Sequence, residues 1–111
     1  MILVDTSVWI DHFRNGNERL RKLLDDGEVA THPMVLGELA CGHIERREEI
    51  LALLARLPGI SPAPDALVLH SIERRRLWGK GIGWIDAHLL TASLLAAAPL
   101  WTLDRRLAKF A

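Results

Sequence analysis

Two rhythms of hydrophobic residues run along this chain. Short, densely apolar runs such as Met1–Val4 alternate with longer stretches in which apolar side chains recur every three or four positions. The first rhythm suits a buried strand, the second an amphipathic helix. Met1–Val4 therefore reads as a strand. Thr6 or Ser7 can cap the helix that follows, which turns Val8, Trp9 and Phe13 inward and stops near Asn15-Gly16. Asn17 caps a second helix, with Leu20, Leu23 and Leu24 on one face and Gly27 just past its end. Glu28–Thr31 is a short strand. Pro33 then suits the first turn of a helix running to about Cys41, ended by Gly42.

The second half repeats the pattern. Arg46–Leu57 is an amphipathic helix with Ile50, Leu53, Leu54 and Leu57 at helical spacing, closed by Pro58-Gly59. Ile60 and Ser61 form a brief strand, and Pro64 opens a helix to roughly Trp78. Gly79, Gly81 and Gly83 make a flexible loop before a helix over Trp84–Ala98, which Pro99 ends. Leu100–Leu103 reads as a strand followed by a last helical turn or two. Strands alternating with helices predict an α/β fold: three layers, with a short parallel sheet flanked by helices.

Composition narrows the class without naming a partner. A chain of 111 residues, half hydrophobic and a quarter charged, is one domain with a sizeable core. Lys plus Arg equals Asp plus Glu at 14 each, so net charge nominates no ligand. Cys41 is the only cysteine, which excludes a disulfide scaffold and a zinc-finger spacing and suits a reducing, cytoplasmic compartment. No basic segment precedes the first apolar run, so no signal peptide is expected. Leu94–Leu103 is broken by Pro99 and Thr102 and is too short to span a bilayer, so no membrane association is expected.

Four carboxylates break the apolar pattern. Asp5 is the only charge in the first ten residues, and Glu38 the only one between Pro33 and Gly42. Asp86 is the only charge from Gly81 to Leu103, and Asp104 directly follows the run LWTL. Each has an ordinary explanation. Asp5 and Asp104 can cap helices, Asp86 can favour a helix dipole from the first turn, and Glu38 can reach solvent or pair with an arginine. Together they suggest more. Asp5 and Asp104 both sit at the carboxyl end of a predicted parallel strand, where open α/β sheets bind ligands. Four acids converging without a Lys or Arg would repel, and a hard divalent cation resolves that; Mg²⁺ takes one or two carboxylates plus waters and phosphate oxygens. This is the chemistry of metal-assisted phosphodiester hydrolysis.

The stretches ILVDTSVWIDHFR, MVLGELACG, IGWIDAHLLTAS and LWTLDRRL, in this order, resemble the four motifs of PIN-domain ribonucleases, specifically the VapC toxins of toxin–antitoxin pairs. The resemblance covers nearly the whole chain. It implies a PIN-like α/β/α fold and an endoribonuclease dependent on Mg²⁺ or Mn²⁺, homodimeric and held inactive by a cognate antitoxin. It implies that Asp5, Glu38, Asp86 and Asp104 are the catalytic, metal-binding acids. Thr6 or Ser7 would position the acid or water beside them, and Thr102 would support Asp104. The implied chemistry is in-line attack of a metal-activated water on the RNA backbone. The family pattern continues past the fourth motif through a helix to a final strand, whereas this chain stops at Ala111. A single domain over 1–111 with a short or absent C-terminal strand is expected.

Two other functions fit some of the same residues. VDTS suggests phosphoryl transfer through an aspartyl-phosphate on Asp5, although Ser7 stands where a second Asp is usual. A catalytically inert PIN-like module binding RNA or protein is the other. Of the basic clusters, Arg46-Arg47 and Arg74-Arg75-Arg76 read as solvated helix faces, while Arg105 and Arg106 adjoin Asp104 and are candidates for a substrate phosphate. Lys80 in the glycine loop is a weaker one. The five histidines lack paired metal-ligand spacing and read as structural or surface residues. Trp9 and Trp101 read as core, Trp78 and Trp84 as partly exposed.

Overall fold

The computed structural model describes residues 1–111. The elements are β1 (Ile2–Val4), α1 (Thr6–Asn15), α2 (Glu18–Asp25), β2 (Val29–Ala30), α3 (Pro33–Cys41), α4 (Arg47–Leu54), α5 (Asp65–Arg75), α6 (Trp84–Ala96), β3 (Leu100–Trp101) and α7 (Arg105–Ala108). Seven helices thus surround a three-stranded parallel sheet of order β2-β1-β3, the α/β architecture the alternating pattern predicts. Leu3 pairs with Ala30 on one side and with Leu100 on the other, and Val4 pairs with Trp101.

Strands this short do not hold by ladder hydrogen bonds alone. Leu3 and Val4 are fully buried, within one cluster that includes Val8, Trp9, Leu20, Val35, Leu39, Leu89, Leu90 and Leu107. Each such side chain contributes about 1.5–3 kcal/mol on burial, more than one net hydrogen bond. Helix starts follow local chemistry. The Asn17 side chain accepts a hydrogen bond from the Leu20 N–H, and His32 Nδ1 accepts from Met34 N–H just ahead of Pro33. Asp5, rather than Thr6 or Ser7, occupies the N-cap position of α1, and its side chain makes no cap bond.

Three expectations change. The strand at Ile60–Ser61 shrinks to a single bridge between Thr31 and Gly59. Pro58, Pro62 and Pro64 crowd this segment, and proline supplies no N–H for a ladder. The helix over Arg46–Leu57 is trimmed to Arg47–Leu54, with Leu53 pointing to solvent and Leu54 buried. Trp101 is half-buried rather than core, with the Arg19 guanidinium 4.4 Å from its ring centroid. Trp9 is buried and Trp78 and Trp84 are exposed, as read from the sequence.

All three strands point the same way, so their carboxyl ends share one edge. The chain leaves central β1 to one side for β2 and returns on the other as β3. The crevice between the ends of β1 and β3 is therefore the topological switch point.

Candidate metal centre at the sheet edge

Asp5 follows β1 directly, and its backbone N–H donates to the Trp101 carbonyl at 2.9 Å. That bond extends the β1–β3 ladder by one residue and sets Asp5 beside Thr102. Asp5 is buried. Its Oδ2 accepts from the Ser7 hydroxyl at 2.6 Å and from the Thr102 hydroxyl at 2.7 Å. Each hydroxyl also accepts in turn: Ser7 Oγ from Leu103 N–H and Thr102 Oγ1 from Asp104 N–H, both at 3.0 Å. Two hydroxyls thus lock Asp5 and the turn carrying Asp104 into one unit, although they lie 95 positions apart.

The other acids arrive by different routes. Asp104 is the exposed N-cap of α7, where Oδ1 accepts from the N–H groups of Arg106 and Leu107, at 2.8 and 3.2 Å. Its capping explanation therefore holds for one oxygen, and Oδ2 takes no hydrogen bond within the chain. Asp86 lies in the first turn of α6, and its Oδ2 accepts from the Gly83 N–H at 3.0 Å. Glu38, exposed on α3, accepts the Thr6 hydroxyl at 2.7 Å and pairs with no arginine.

Burial pushes the Asp86 carboxyl above its ordinary value, the Gly83 N–H pulls it down, and the negative charges of Asp5 and Asp104 raise it further. Asp86 thus feels both other aspartates, while Glu38 is tied to the residue after Asp5 through the Thr6 hydroxyl. None of the four takes part in an ion pair; the chain's pairs are Met1–Glu28, Arg21–Glu18, Arg46–Glu49 and His88–Asp65. No group of three or more acids, histidines or cysteines is placed to hold a metal ion. Mg²⁺ takes only one or two carboxylates and keeps its waters. The donors are all hard oxygens, the kind a hard divalent cation takes, and no Lys or Arg forms an ion pair with them.

Of the supporting residues, Ser7 and Thr102 serve Asp5, and Thr6 serves Glu38. Arg105 and Arg106 are exposed on α7 beside Asp104. Two contributors were not picked out from the sequence. Gly83 anchors Asp86 at capping-box spacing, three residues before it, and this spacing is a local signal. His32 caps the helix that carries Glu38, and Pro33 at the first helical position marks it. His32 is fully buried and its Nε2 has no partner. His88 Nε2 comes within 3.2 Å of Asp65 Oδ1 but out of hydrogen-bonding alignment, and its ring edge meets Trp84 at 4.6 Å between centroids.

A short parallel sheet wrapped by helices, with carboxylates around its switch point, fits the plan of a PIN domain, and residues 2–111 match that family; the chain belongs to it. Within the family the chain is similar to a ribonuclease. It is 50% identical over 108 residues to Ribonuclease VapC32 of Mycobacterium tuberculosis, in strain CDC 1551 / Oshkosh and in strain ATCC 25618 / H37Rv alike. The alignment spans 96% of this chain and 87% of the relative. The chain is thus a homologue of a VapC ribonuclease. The crystal structure of FitAcB from Neisseria gonorrhoeae shares the fold, with a TM-score of 0.66 at 21% identity over 99% of this chain and 92% of that one.

Proposed function

We propose that residues 1–111 act as one PIN domain that hydrolyses RNA phosphodiester bonds as a metal-dependent endoribonuclease toxin. The observation that carries this reading is the set of carboxylates around the switch point, none of them neutralised by a Lys or Arg. Unpaired acids gathered at one sheet edge are costly in the free protein, and a divalent cation with an RNA phosphate offsets that cost.

Asp5, Asp86 and Asp104 would hold Mg²⁺ or Mn²⁺, with Glu38 at the rim. When bound, such a cation polarises a phosphoryl oxygen and makes water a competent nucleophile near neutral pH. The remaining roles belong to this chain. Ser7 and Thr102 hold Asp5 Oδ2 and leave Oδ1 without a hydrogen-bond donor from the chain. Gly83 fixes Asp86 through one oxygen, and α7 fixes Asp104 through Oδ1, so each acid keeps one oxygen for a ligand. Thr6 orients Glu38.

The toxin reading brings a cognate antitoxin and a homodimer with it. A groove of about 820 Å³ lies between α1, the end of α3 and α4, lined by Ile10, Phe13, Leu39, Ile44, Ile50 and Leu53 and bordered by Glu38. An amphipathic antitoxin segment placed there would run to the edge of the acidic centre. No helix is long and apolar enough to cross a membrane.

The test is cleavage of RNA by the purified protein in Mg²⁺, in Mn²⁺ and in EDTA, beside Asp5→Asn. Cleavage in either metal, lost in EDTA and in the variant, is expected. Cleavage indifferent to both changes overturns the reading. RNA binding without cleavage in any metal favours an inert binding module.

A further inference from the structure

Of the chain's eight glycines, only Gly81 has its missing side chain's place taken by another residue. Gly81 has φ +78°, a conformation that favours glycine. A Cβ there would lie 2.4 Å from Cδ of Arg106, 2.9 Å from Nη1 and 3.1 Å from Nε. The Arg106 stem and head therefore lie against the glycine loop, in a space that exists only because residue 81 has no side chain.

This seat brings the helix capped by Asp104 against the loop that leads to Asp86. Arg106 follows Asp104 by two residues, and Gly81 precedes by two the glycine that anchors Asp86. Yet the guanidinium forms no ion pair and no hydrogen bond within the chain; only its backbone N–H is engaged, by Asp104. Five arginines have a partner, among them Arg46 on Glu49, Arg47 on the Ala40 carbonyl and Arg75 on the Phe110 carbonyl; Arg106 is one of those without, and the one seated against a glycine. A guanidinium held against the glycine loop, on the helix that Asp104 caps, and paired with no carboxylate keeps its donors for an anion from outside.

We infer that Arg106, seated by Gly81, binds a phosphate of the RNA backbone next to the scissile bond, whereas Arg105 lacks such a seat. The inference rests on the ribonuclease reading for its ligand. It is tested by binding, which does not need cleavage. The probe is a short fluorescein-labelled single-stranded RNA, titrated in Mg²⁺ into protein silenced by Asp5→Asn, with Kd followed against salt concentration.

In that background Arg106→Gln should weaken binding by about tenfold and lower the slope of log Kd against log salt by about 1. Arg106→Lys should restore the salt slope, and Arg105→Gln should change Kd by less than about twofold. Gly81→Ala should reproduce the loss in protein with Arg106 and add nothing to Arg106→Gln. An unchanged Kd and salt slope in Arg106→Gln overturns the proposal, as does a Gly81→Ala effect equally large without the arginine. Absence of RNA binding overturns it too. Failure of the unsubstituted protein to cut RNA, with the binding series as expected, refutes the ribonuclease reading and leaves the phosphate site standing.

Discussion

Asp5 depends on two hydroxyls, and Thr102→Val removes one while nearly preserving side-chain shape. Two hydrogen bonds disappear. The bond to Asp5 Oδ2, at 2.7 Å, ends on a buried carboxylate; charge-assisted bonds of this kind contribute about 1.5–3 kcal/mol. The bond from Asp104 N–H, at 3.0 Å, lies in an exposed turn where water replaces it at little cost. Ser7 still serves Oδ2, and Thr102 is only half-buried, so the net loss falls at the low end, about 1.5 kcal/mol. For a chain of this size that lowers Tm by roughly 6 °C. The assay is thermal and urea unfolding in EDTA near neutral pH, repeated in Asp5→Ala, which has no acceptor. There the same substitution should cost less than about 0.5 kcal/mol, the rest being coupling between the two positions. Cleavage should also need more Mg²⁺ for half-maximal rate, because Asp104 loses its brace. Equal destabilisation with and without the Asp5 carboxylate, or none at all, refutes the proposed network.

Asp86→Asn should stabilise the metal-free protein while removing cleavage. The folded carboxyl is raised above 3.8, so its ionised form is disfavoured on folding at neutral pH, and that penalty fades as pH falls toward 3.8. Asparagine removes the charge and can still accept from Gly83 N–H; a higher Tm for the variant in EDTA, with the gain vanishing in acid, is the expected calorimetric result. Added Mg²⁺ should raise Tm more for the unsubstituted protein. His32 gives the opposite pH dependence. Burial first, and the charge of His88 second, hold its pKa below the ordinary 6.5. The unfolded chain therefore takes up the proton first as pH falls through about 6.5, and the stability contributed by neutral His32 is present above that value and lost below it. His32→Asn keeps the cap without titrating, so unfolding titrations should show a shallower loss of stability in mild acid. Parallel curves for the two proteins would count against this role.

Much of the site was legible before folding because an isolated charge inside an apolar stretch is a local property. Asp5, Glu38, Asp86 and Asp104 stand out against their immediate neighbours, and strand–helix alternation already puts Asp5 and Asp104 at strand ends. Helix limits at Asn17, Pro33 and Gly42 were equally readable, since caps and breakers act within a turn of the residue that carries them. The strand at Ile60–Ser61 was misjudged because nothing local records whether a partner offers enough paired backbone to three nearby prolines.

Patterns that repeat within a few residues thus carry the class of fold and single out Asp5, Glu38, Asp86 and Asp104 as candidates. How those four are held comes from packing. The pairing of Val4 with Trp101 sets Thr102 against Asp5, Ser7 reaches the turn before Asp104, and Thr6 turns to Glu38 instead. The same is true of Arg106 across Gly81, two positions with no shared periodicity. Hydrogen bonds and close contacts between distant segments depend on strand register and packing, which arise when the whole core is buried together.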